Sequence, residues 1–299
     1  MIKVNIFMKK FILLTIILFV LCFTFLYVKN YNSISIKNDS YGDKMSIDNY
    51  YNEEIYTEKE KNSLDEIIKS INENTQGLND NIAVYYYNFN TKETYSINED
   101  TYFVAASLKK LPQIMQVLDK VQKGDFSLTT QIEYIDYLDY SDGTGILQFE
   151  DNIGSRSIEE LIKLSIIESD NISYNMLNRI CNNTLKEYIQ SIVNDYDSID
   201  EEYVKLTAEQ NFQILYRLYT NPGNNPYYSN VIQLMKETAF HHSLDKNIPY
   251  EKVAHKISSY YRYYHDTGII FSEETGLMSI FWTQKVKLFY AALLANNSH

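Results

Sequence analysis

The stretch FVAASLKKLPQIMQVL, Phe103–Leu118, raises the question of local structure and of function together. An apolar run stops at one serine and two lysines and then continues with the apolar spacing of an amphipathic helix. Ser107 and Lys110 are three residues apart, so on a helix they share a face. The hydroxyl and the amine are therefore either a nucleophile with its base or a helix cap beside a solvated lysine.

A second S-x-x-K sequence, Ser243-Leu-Asp-Lys246, shows how little this pattern means alone. It is followed by Asn-Ile-Pro and has no apolar periodicity, which predicts a turn. Only Ser107 lies at a predicted helix N-terminus, where backbone N–H groups and the helix dipole favour negative charge. Ser107 and Lys110 are therefore the better candidates for catalysis.

Composition excludes several classes of function. The chain has 299 residues, of which 45% are apolar and 22% charged, as is typical of a globular protein with a full core. A net charge of -12 argues against nucleic-acid binding through a basic surface. With nine glycines and no GxGxxG or GxxxxGK sequence, nucleotide chemistry is not expected either.

The cysteines and histidines do not predict a metal site. Of the two cysteines, Cys22 lies in the apolar N-terminus, so Cys181 has no partner in the remainder of the chain. Neither a disulfide framework nor a cysteine-based zinc site is expected. The adjacent pair His241–His242 lacks a third ligand at helical spacing and is interpreted as a loop or surface feature. We expect no metal and no cofactor.

Residues 1–29 predict a membrane anchor. Lys3, Lys9 and Lys10 precede Phe11–Val28, an uncharged run about long enough to span a bilayer. Lysines on the short N-terminal side predict that this end stays in the cytoplasm and that the rest is exported. A cleaved signal peptide is the alternative, but no small-x-small site follows the run. We therefore expect a single-pass membrane protein with an extracytoplasmic domain.

Residues 30–57 are polar without periodicity and are interpreted as a tether, so the folded domain is expected over residues 58–299. Its first predicted elements are a helix, Glu58–Thr75, and a hairpin of strands Ile82–Phe89 and Glu93–Ile97. Capping-box patterns then open two helices in the middle section, at Ser157-Ile-Glu-Glu160 and Thr207-Ala-Glu-Gln210.

Three predicted strands, Lys252–Ser258, Thr267–Phe271 and Leu277–Trp282, precede a final helix, Thr283–Ala295. This order predicts an α+β fold of the three-layer type, in which one antiparallel sheet is built from both chain ends and flanked by helices. An all-helical lobe is inserted in the middle. The cleft between sheet and lobe is the expected functional site.

Two further motifs give the S-x-x-K sequence its context. Ser169-Asp170-Asn171 lies between two predicted helices, 62 residues beyond Ser107, and Lys256 lies on a late predicted strand. In this order the motifs resemble those of the penicillin-recognising serine hydrolases, and the class A β-lactamases most of all. The resemblance covers roughly residues 63–295. It includes Pro112 in the nucleophile helix and the loop GTGILQF, Gly143–Phe149.

The resemblance implies a role for each matching residue. Ser107 would be the nucleophile and Lys110 its base, provided that burial or a cation such as Lys256 destabilises the ammonium. Ser169 would carry a proton towards the leaving nitrogen. Asn171 would bind the amide side chain of the substrate, and Lys256 would attract its carboxylate.

The third motif departs from the K-T-G or K-S-G of the family, because this chain has Lys256-Ile257-Ser258. Ile257 lacks a hydroxyl that usually helps to hold the substrate carboxylate, and Ser258 adds bulk where glycine lets the substrate approach. Strand alternation puts Ser258 on the same face as Lys256, so its hydroxyl would partly substitute. By position, the backbone N–H groups of Ser107 and Ser259 would form the oxyanion hole.

The segment before Thr207 departs as well. Class A β-lactamases carry a glutamate in an E-x-x-x-N pattern that activates the deacylating water, and this pattern is missing between Leu185 and Thr207. The acidic alternatives are Asp197, Asp200, Glu201 and Glu202, although a solvated charge run is the plainer interpretation.

The sequence therefore predicts a serine hydrolase of the class A β-lactamase type that acts through an acyl-Ser107 intermediate. The residues for acylation are present, whereas the glutamate pattern for deacylation is missing. The alternatives are a D,D-peptidase-like cell-wall hydrolase and a penicillin-binding or sensing module with little turnover. The expected ligands are β-lactams or cell-wall peptides, without nucleic acid, and the expected state is a monomer.

Overall fold

The computed structural model describes residues 68–69, 71–73, 75–76, 81–90, 92–196, 203–261 and 263–271, and the strand backbone of residues 276–284. The predicted anchor, Phe11–Val28, and the predicted tether lie outside these residues. Of the predicted helix Glu58–Thr75, residues 68, 69, 71–73 and 75 are described, and they are helical. No helix within the described ranges is long and apolar enough to cross a membrane.

Nine strands are found in the described residues, and five of them form an antiparallel sheet in the order β2-β1-β9-β8-β7. The strands are β1 (Ile82–Asn88), β2 (Thr94–Ile97), β3 (Phe103–Val104), β4 (Gln131–Glu133), β5 (Ser155–Ser157), β6 (Lys205–Leu206), β7 (Val253–Tyr260), β8 (Tyr263–Phe271) and β9 (Gly276–Gln284). The early hairpin meets the late strands where Ile82 lies opposite Thr283. The predicted antiparallel sheet built from both chain ends is confirmed.

The section between the two parts of the sheet is mostly helical, as predicted. Its helices are α1 (Lys110–Lys123), α2 (Asp136–Asp139), α3 (Ile158–Ile167), α4 (Asn171–Ile180), α5 (Leu185–Ile192), α6 (Ala208–Thr220) and α7 (Tyr228–Lys236). The predicted final helix is wrong at its start, because Thr283 and Gln284 still belong to β9. The rest of that helix lies outside the described residues.

The predicted N-caps form, although only one is a complete capping box. The Thr207 hydroxyl accepts the N–H of Gln210, and the Gln210 side chain accepts the N–H of Thr207. The Ser157 hydroxyl accepts the N–H of Glu160, but the Glu160 carboxylate pairs with Arg156 instead. An arginine one residue before the cap therefore competes for the carboxylate that would have closed the box.

Helix α1 runs through the centre of the core. Its buried apolar side chains include Leu111, Ile114 and Met115, each at most 1% exposed. Burial of such side chains contributes about 1.5–3 kcal/mol each. The helix that follows Ser107 is therefore held by packing on all sides, which gives the serine a rigid support.

A buried histidine ties the nucleophile segment to the main sheet. His265 on β8 donates from Nε2 to the carbonyl of Val104 at 2.8 Å. On the other side, the N–H of Ala105 donates to the carbonyl of Val204 at 2.9 Å. These bonds fix the backbone directly before Ser107.

Candidate active site

Ser107 lies in a 3-10 helix, Ala106–Lys109, that leads directly into α1. Ala106 has a φ of 46°, and Ser169 in the loop before α4 has a φ of 51°. A left-handed backbone costs a residue other than glycine about 1–3 kcal/mol, so the surrounding structure must hold it in place. Both strained segments are brought to the same buried amine, that of Lys110.

The Nζ atom of Lys110 is buried among four oxygen atoms. It donates to Oδ1 of Asn171 at 2.8 Å and to the backbone carbonyl of Ser169. It also lies 3.3 Å from Oγ of Ser107 and 3.3 Å from Oγ of Ser169. A neutral amine has two N–H donors and one lone pair. Because the two carbonyl oxygens can only accept, they use both donors, and the lone pair is left for a serine hydroxyl.

The surroundings of Lys110 favour its neutral form. Burial lowers the pKa of Lys110 well below the ordinary value of a lysine, and the positive charge of Lys256 lowers it further. The Asp170 carboxylate opposes this effect, and Lys109 adds to it. Since only the neutral amine can accept a proton, this environment is suited to a general base.

Lys256 lies on β7 with its side chain fully buried. Its Nζ donates to Oγ of Ser169 at 2.8 Å and to the carbonyl of Ile257 at 3.2 Å. Burial lowers the pKa of Lys256 to about 7, against an opposing effect of Asp266. The Ser169 hydroxyl therefore lies between the two lysine amines, and a proton can pass along this chain of hydrogen bonds.

Asp170 fixes the loop that carries Ser169, and the only sequence signal for this role is its position before a predicted helix. Its Oδ1 accepts the N–H of Ser173 at 2.8 Å as the N-cap of α4, and its Oδ2 accepts the N–H of Leu147 at 2.9 Å. The carboxylate is buried and satisfied from both sides. It joins the 143–149 loop to the start of α4.

Gly145→Ala is expected to destabilise the protein by more than about 2 kcal/mol. A Cβ on Gly145 would lie 2.1 Å from Oδ2 and 2.4 Å from Cα of Asp170, at a φ of +112° that disfavours a side chain. Gly124→Ala is the matched control, because its φ is +86° but its Cβ would meet nothing within 4 Å. Denaturant unfolding should give the control a loss of only about 1 kcal/mol. Equal losses would show that the contact with Asp170 does not matter.

Asn171 is the first residue of α4, and its amide is engaged at both ends. Oδ1 accepts from Lys110, and Nδ2 donates to the carbonyl of Asp142 at 2.8 Å. An amide nitrogen carries two hydrogens, so one remains for a substrate carbonyl. The position is compatible with the predicted role in substrate binding.

The Ser258 hydroxyl contacts the nucleophile segment directly. Ser258 lies on the same face of β7 as Lys256, as strand alternation predicts. Its Oγ donates to the carbonyl of Ala105 at 3.1 Å and accepts the backbone N–H of Ser107 at 2.7 Å. The N–H predicted to stabilise an oxyanion is therefore already bonded to a side chain that the family's glycine would lack.

Two further predicted positions, Ile257 and Ser259, lie on β7. Ser259 is exposed near the end of β7, opposite Tyr264 on β8, and Ile257 is partly buried. Within the described ranges, no carboxylate is hydrogen-bonded to Ser107 or Lys110. The acidic alternatives for activating water lie outside the described residues: Asp197, Asp200, Glu201 and Glu202.

The second S-x-x-K sequence forms a turn, as predicted. The N–H of Lys246 donates to the carbonyl of Ser243 at 3.0 Å, and the Lys246 side chain is exposed. Lys110, by contrast, is 1% exposed. Only the first sequence places an amine in the buried setting that a lysine base needs.

Known proteins of one enzyme family are similar to this chain. The profile of the β-lactamase enzyme family matches residues 63–297. The β-lactamase VEB-1 of Pseudomonas aeruginosa is 30% identical over 118 residues, which are 39% of this chain and 38% of that protein. The chain thus spans well under half the length of this curated relative.

Solved structures share the fold at lower identity. The β-lactamase of Sphaerobacter thermophilus has a TM-score of 0.67 at 19% identity, covering 74% of this chain and 89% of that one. The class A β-lactamase representative of Bacteroides cellulosilyticus has a TM-score of 0.67 at 21% identity, covering 76% of this chain and 91% of that one. A mutant of PBP-A, solved as an acyl-enzyme complex with penicillin G, has a TM-score of 0.65 at 17% identity, covering 75% and 88%.

Proposed function

The chain belongs to the β-lactamase enzyme family, and we propose that it is a serine hydrolase that forms an acyl-Ser107 intermediate with β-lactams. The observation that carries the proposal is the position of the Lys110 amine. It is buried, its two donors are taken by carbonyl oxygens, and its lone pair faces the Ser107 and Ser169 hydroxyls at 3.3 Å.

Acylation would proceed as follows. Oγ of Ser107 attacks the lactam carbonyl while Lys110 accepts the hydroxyl proton, and an oxyanion forms at the carbonyl oxygen. The C–N bond of the ring then breaks, and the nitrogen receives a proton through the Ser169 hydroxyl. The product is an ester of Ser107 that retains all atoms of the β-lactam. A positioned general base contributes roughly 10²–10⁴-fold to such a step.

The substrate would be held by groups around this centre. Asn171 has a free amide hydrogen for the side-chain carbonyl of the substrate, and the positive charge of Lys256 attracts its carboxylate. Ser258 and Ser259 lie at the end of β7 where the substrate would align with the strand. We propose these four residues as the substrate-binding set.

A second candidate function, penicillin binding with little turnover, is favoured by two observations. No carboxylate is hydrogen-bonded to Ser107 or Lys110 in the described part of the chain, and the Ser107 N–H is bonded to Ser258. A water without a positioned base loses the contribution of general-base catalysis, so deacylation is expected to be slow. A cell-wall peptidase would use the same acyl-Ser107 chemistry on a peptide.

Turnover kinetics distinguish these functions. With a chromogenic cephalosporin, we expect a burst of one product per enzyme followed by a slow phase, because acylation outpaces deacylation. Stopped-flow absorbance against active-site concentration measures the burst. Rapid turnover without a burst would contradict slow deacylation and would support an efficient β-lactamase. Absence of both the burst and the slow phase would contradict the hydrolase.

We also propose that the protein is anchored in the cell membrane by residues 11–28, with the catalytic domain outside the cytoplasm. The support is the uncharged run that follows Lys3, Lys9 and Lys10. The full-length protein should fractionate with membranes, and protease added to intact protoplasts should digest its domain. Recovery of a secreted form that begins well after Val28 would show a cleaved signal peptide instead.

A further inference from the structure

Four titratable side chains cluster on the face of β7 that is turned away from Ser107. Because side chains alternate along a strand, His255 points opposite to Lys256. It meets Asp266 from β8 and Asp245 from the loop after α7, and Nδ1 of His241 in the same loop is hydrogen-bonded to Oδ2 of Asp245. The side chains of His255 and Asp245 are each 1% exposed, whereas that of His241 is 43% exposed. The cluster is thus buried with one ligand at the surface.

Asp266 fixes the orientation and tautomer of His255. Nδ1 of His255 lies 2.9 and 3.0 Å from the two carboxylate oxygens of Asp266, so Nδ1 carries the hydrogen. Asp266 is itself held by the N–H of Leu244 at 2.8 Å. Gly268, opposite His255 on β8, leaves room for this side chain, since an added Cβ would lie 2.6 Å from that of His255. In the neutral ring, Nε2 then has a lone pair.

Two buried atoms in the cluster have no hydrogen-bond partner. Nε2 of His255 lies 3.4 Å from Oδ2 of Asp245 but does not form a hydrogen bond with it, and Oδ1 of Asp245 is also unpaired. Such atoms are uncommon, because burying an unpaired polar group costs about 1–3 kcal/mol. Both belong to side chains that contribute to one group of converging ligand atoms. A cation at that point would satisfy both.

The donor set is one that zinc prefers. The ligand atoms of His241, Asp245 and His255 all lie within 4.8 Å of one another. Zinc binds histidine nitrogen at about 2.0–2.1 Å in tetrahedral geometry, which separates its ligand atoms by about 3.3 Å. The distance between Nε2 of His255 and Oδ2 of Asp245 is 3.4 Å, whereas Nδ1 of His241 is hydrogen-bonded directly to that oxygen, a contact that a bound ion would replace. Asp266 behind His255 matches the carboxylate that commonly orients a zinc-binding histidine.

We propose that His241, Asp245 and His255 bind a zinc ion, with Asp266 supporting His255 and water in the fourth position. The ion fastens the loop after α7 to β7, one residue before Lys256. Since the site lies on the opposite face of the strand from Ser107, its role is to stabilise the fold and not to take part in acylation. A second proton on His255, bridging Asp245 and Asp266, is the metal-free alternative.

The test uses the untagged full chain, stripped with a chelator and titrated with zinc chloride by calorimetry. We expect one zinc per chain and a rise in Tm that grows with zinc concentration. His241→Ala should remove the Tm rise and weaken zinc binding at least 10–100-fold. That factor is typical for loss of a residue that only orients a ligand, and His241 would itself be a ligand. His242→Ala is the matched control, because His242 is adjacent and exposed but outside the cluster, and it should bind zinc like the wild type.

A second variant keeps the proposal testable should the calorimetric signal be small. Asp266→Asn should weaken zinc binding about 10–100-fold, measured by competition with a chromophoric chelator. No zinc binding by the wild type, or equal binding by the wild type and His241→Ala, would overturn the proposal and leave the proton as the bridging charge. Equal losses in His241→Ala and His242→Ala would also overturn it.

Discussion

Replacing Ser107 with alanine is expected to abolish covalent labelling by a fluorescent penicillin. The label is attached through the attacking oxygen, so no other group near Lys110 can replace it without moving the backbone. Ser169 has the other hydroxyl at 3.3 Å from the Lys110 amine, but it also accepts from Lys256, and its proposed role is to relay protons. Gel fluorescence after denaturation measures the label.

Ser243→Ala is the matched control for this variant. Ser243 begins the second S-x-x-K sequence, but it lies in a turn whose lysine, Lys246, is exposed. Without burial its ammonium is not destabilised, so Ser243 has no activated base. The control should label like the wild type. A label that persists in Ser107→Ala and disappears in Ser243→Ala would show that Ser243, and not Ser107, is the nucleophile.

Ser258→Gly is expected to accelerate acylation by up to about 10²-fold. The Ser107 N–H now donates to Oγ of Ser258 at 2.7 Å, and a hydrogen bond to a side chain cannot at the same time stabilise an oxyanion fully. Removal of one oxyanion-hole donor typically costs 10²–10³ in kcat, so freeing one should recover a comparable factor. The measurement is the rate of burst-phase acylation against penicillin concentration.

Ser258→Ala separates the hydroxyl from the bulk of the side chain. It frees the Ser107 N–H but retains Cβ, so it should accelerate acylation less than Ser258→Gly if space for the substrate also matters. Glycine in a strand costs about 0.5–1 kcal/mol, which a denaturation midpoint will show separately. Slower acylation in both variants would mean that the Ser258 hydroxyl helps the substrate more than it blocks the N–H.

The elements that the sequence predicted well are those with strong local patterns. Strand β1 is a run of β-branched and aromatic residues, and α6 opens at a complete capping box, so local preference and tertiary structure agree. The predicted final helix begins too early, at Thr283, because pairing with β1 and β8 extends β9 to Gln284, with Ile82 opposite Thr283. Long-range pairing of this kind leaves no local signal.

The arrangement of the candidate site could be predicted where its residues are close together in the sequence. It could not be predicted where the residues in contact are far apart in the sequence. The spacing of Ser107 and Lys110 follows from the helix, but the bond between Ser107 and Ser258 joins residues 151 positions apart. The sequence around His241–His242 offers no third ligand at helical spacing and therefore predicts only a loop or surface feature. The residues that converge on His241 come from a turn and a strand, at Asp245 and His255.

Mass spectrometry of the wild type after brief exposure to penicillin G tests directly whether Ser107 is acylated. We predict an increase equal to the whole penicillin molecule, because ring opening releases no leaving group. Fragmentation should locate it on Ser107 in the tryptic peptide Glu93–Lys109, which also contains Ser96. An adduct on Ser96, Ser243 or any other residue, or an unmodified protein that also leaves penicillin G intact, would contradict an acyl-Ser107 intermediate.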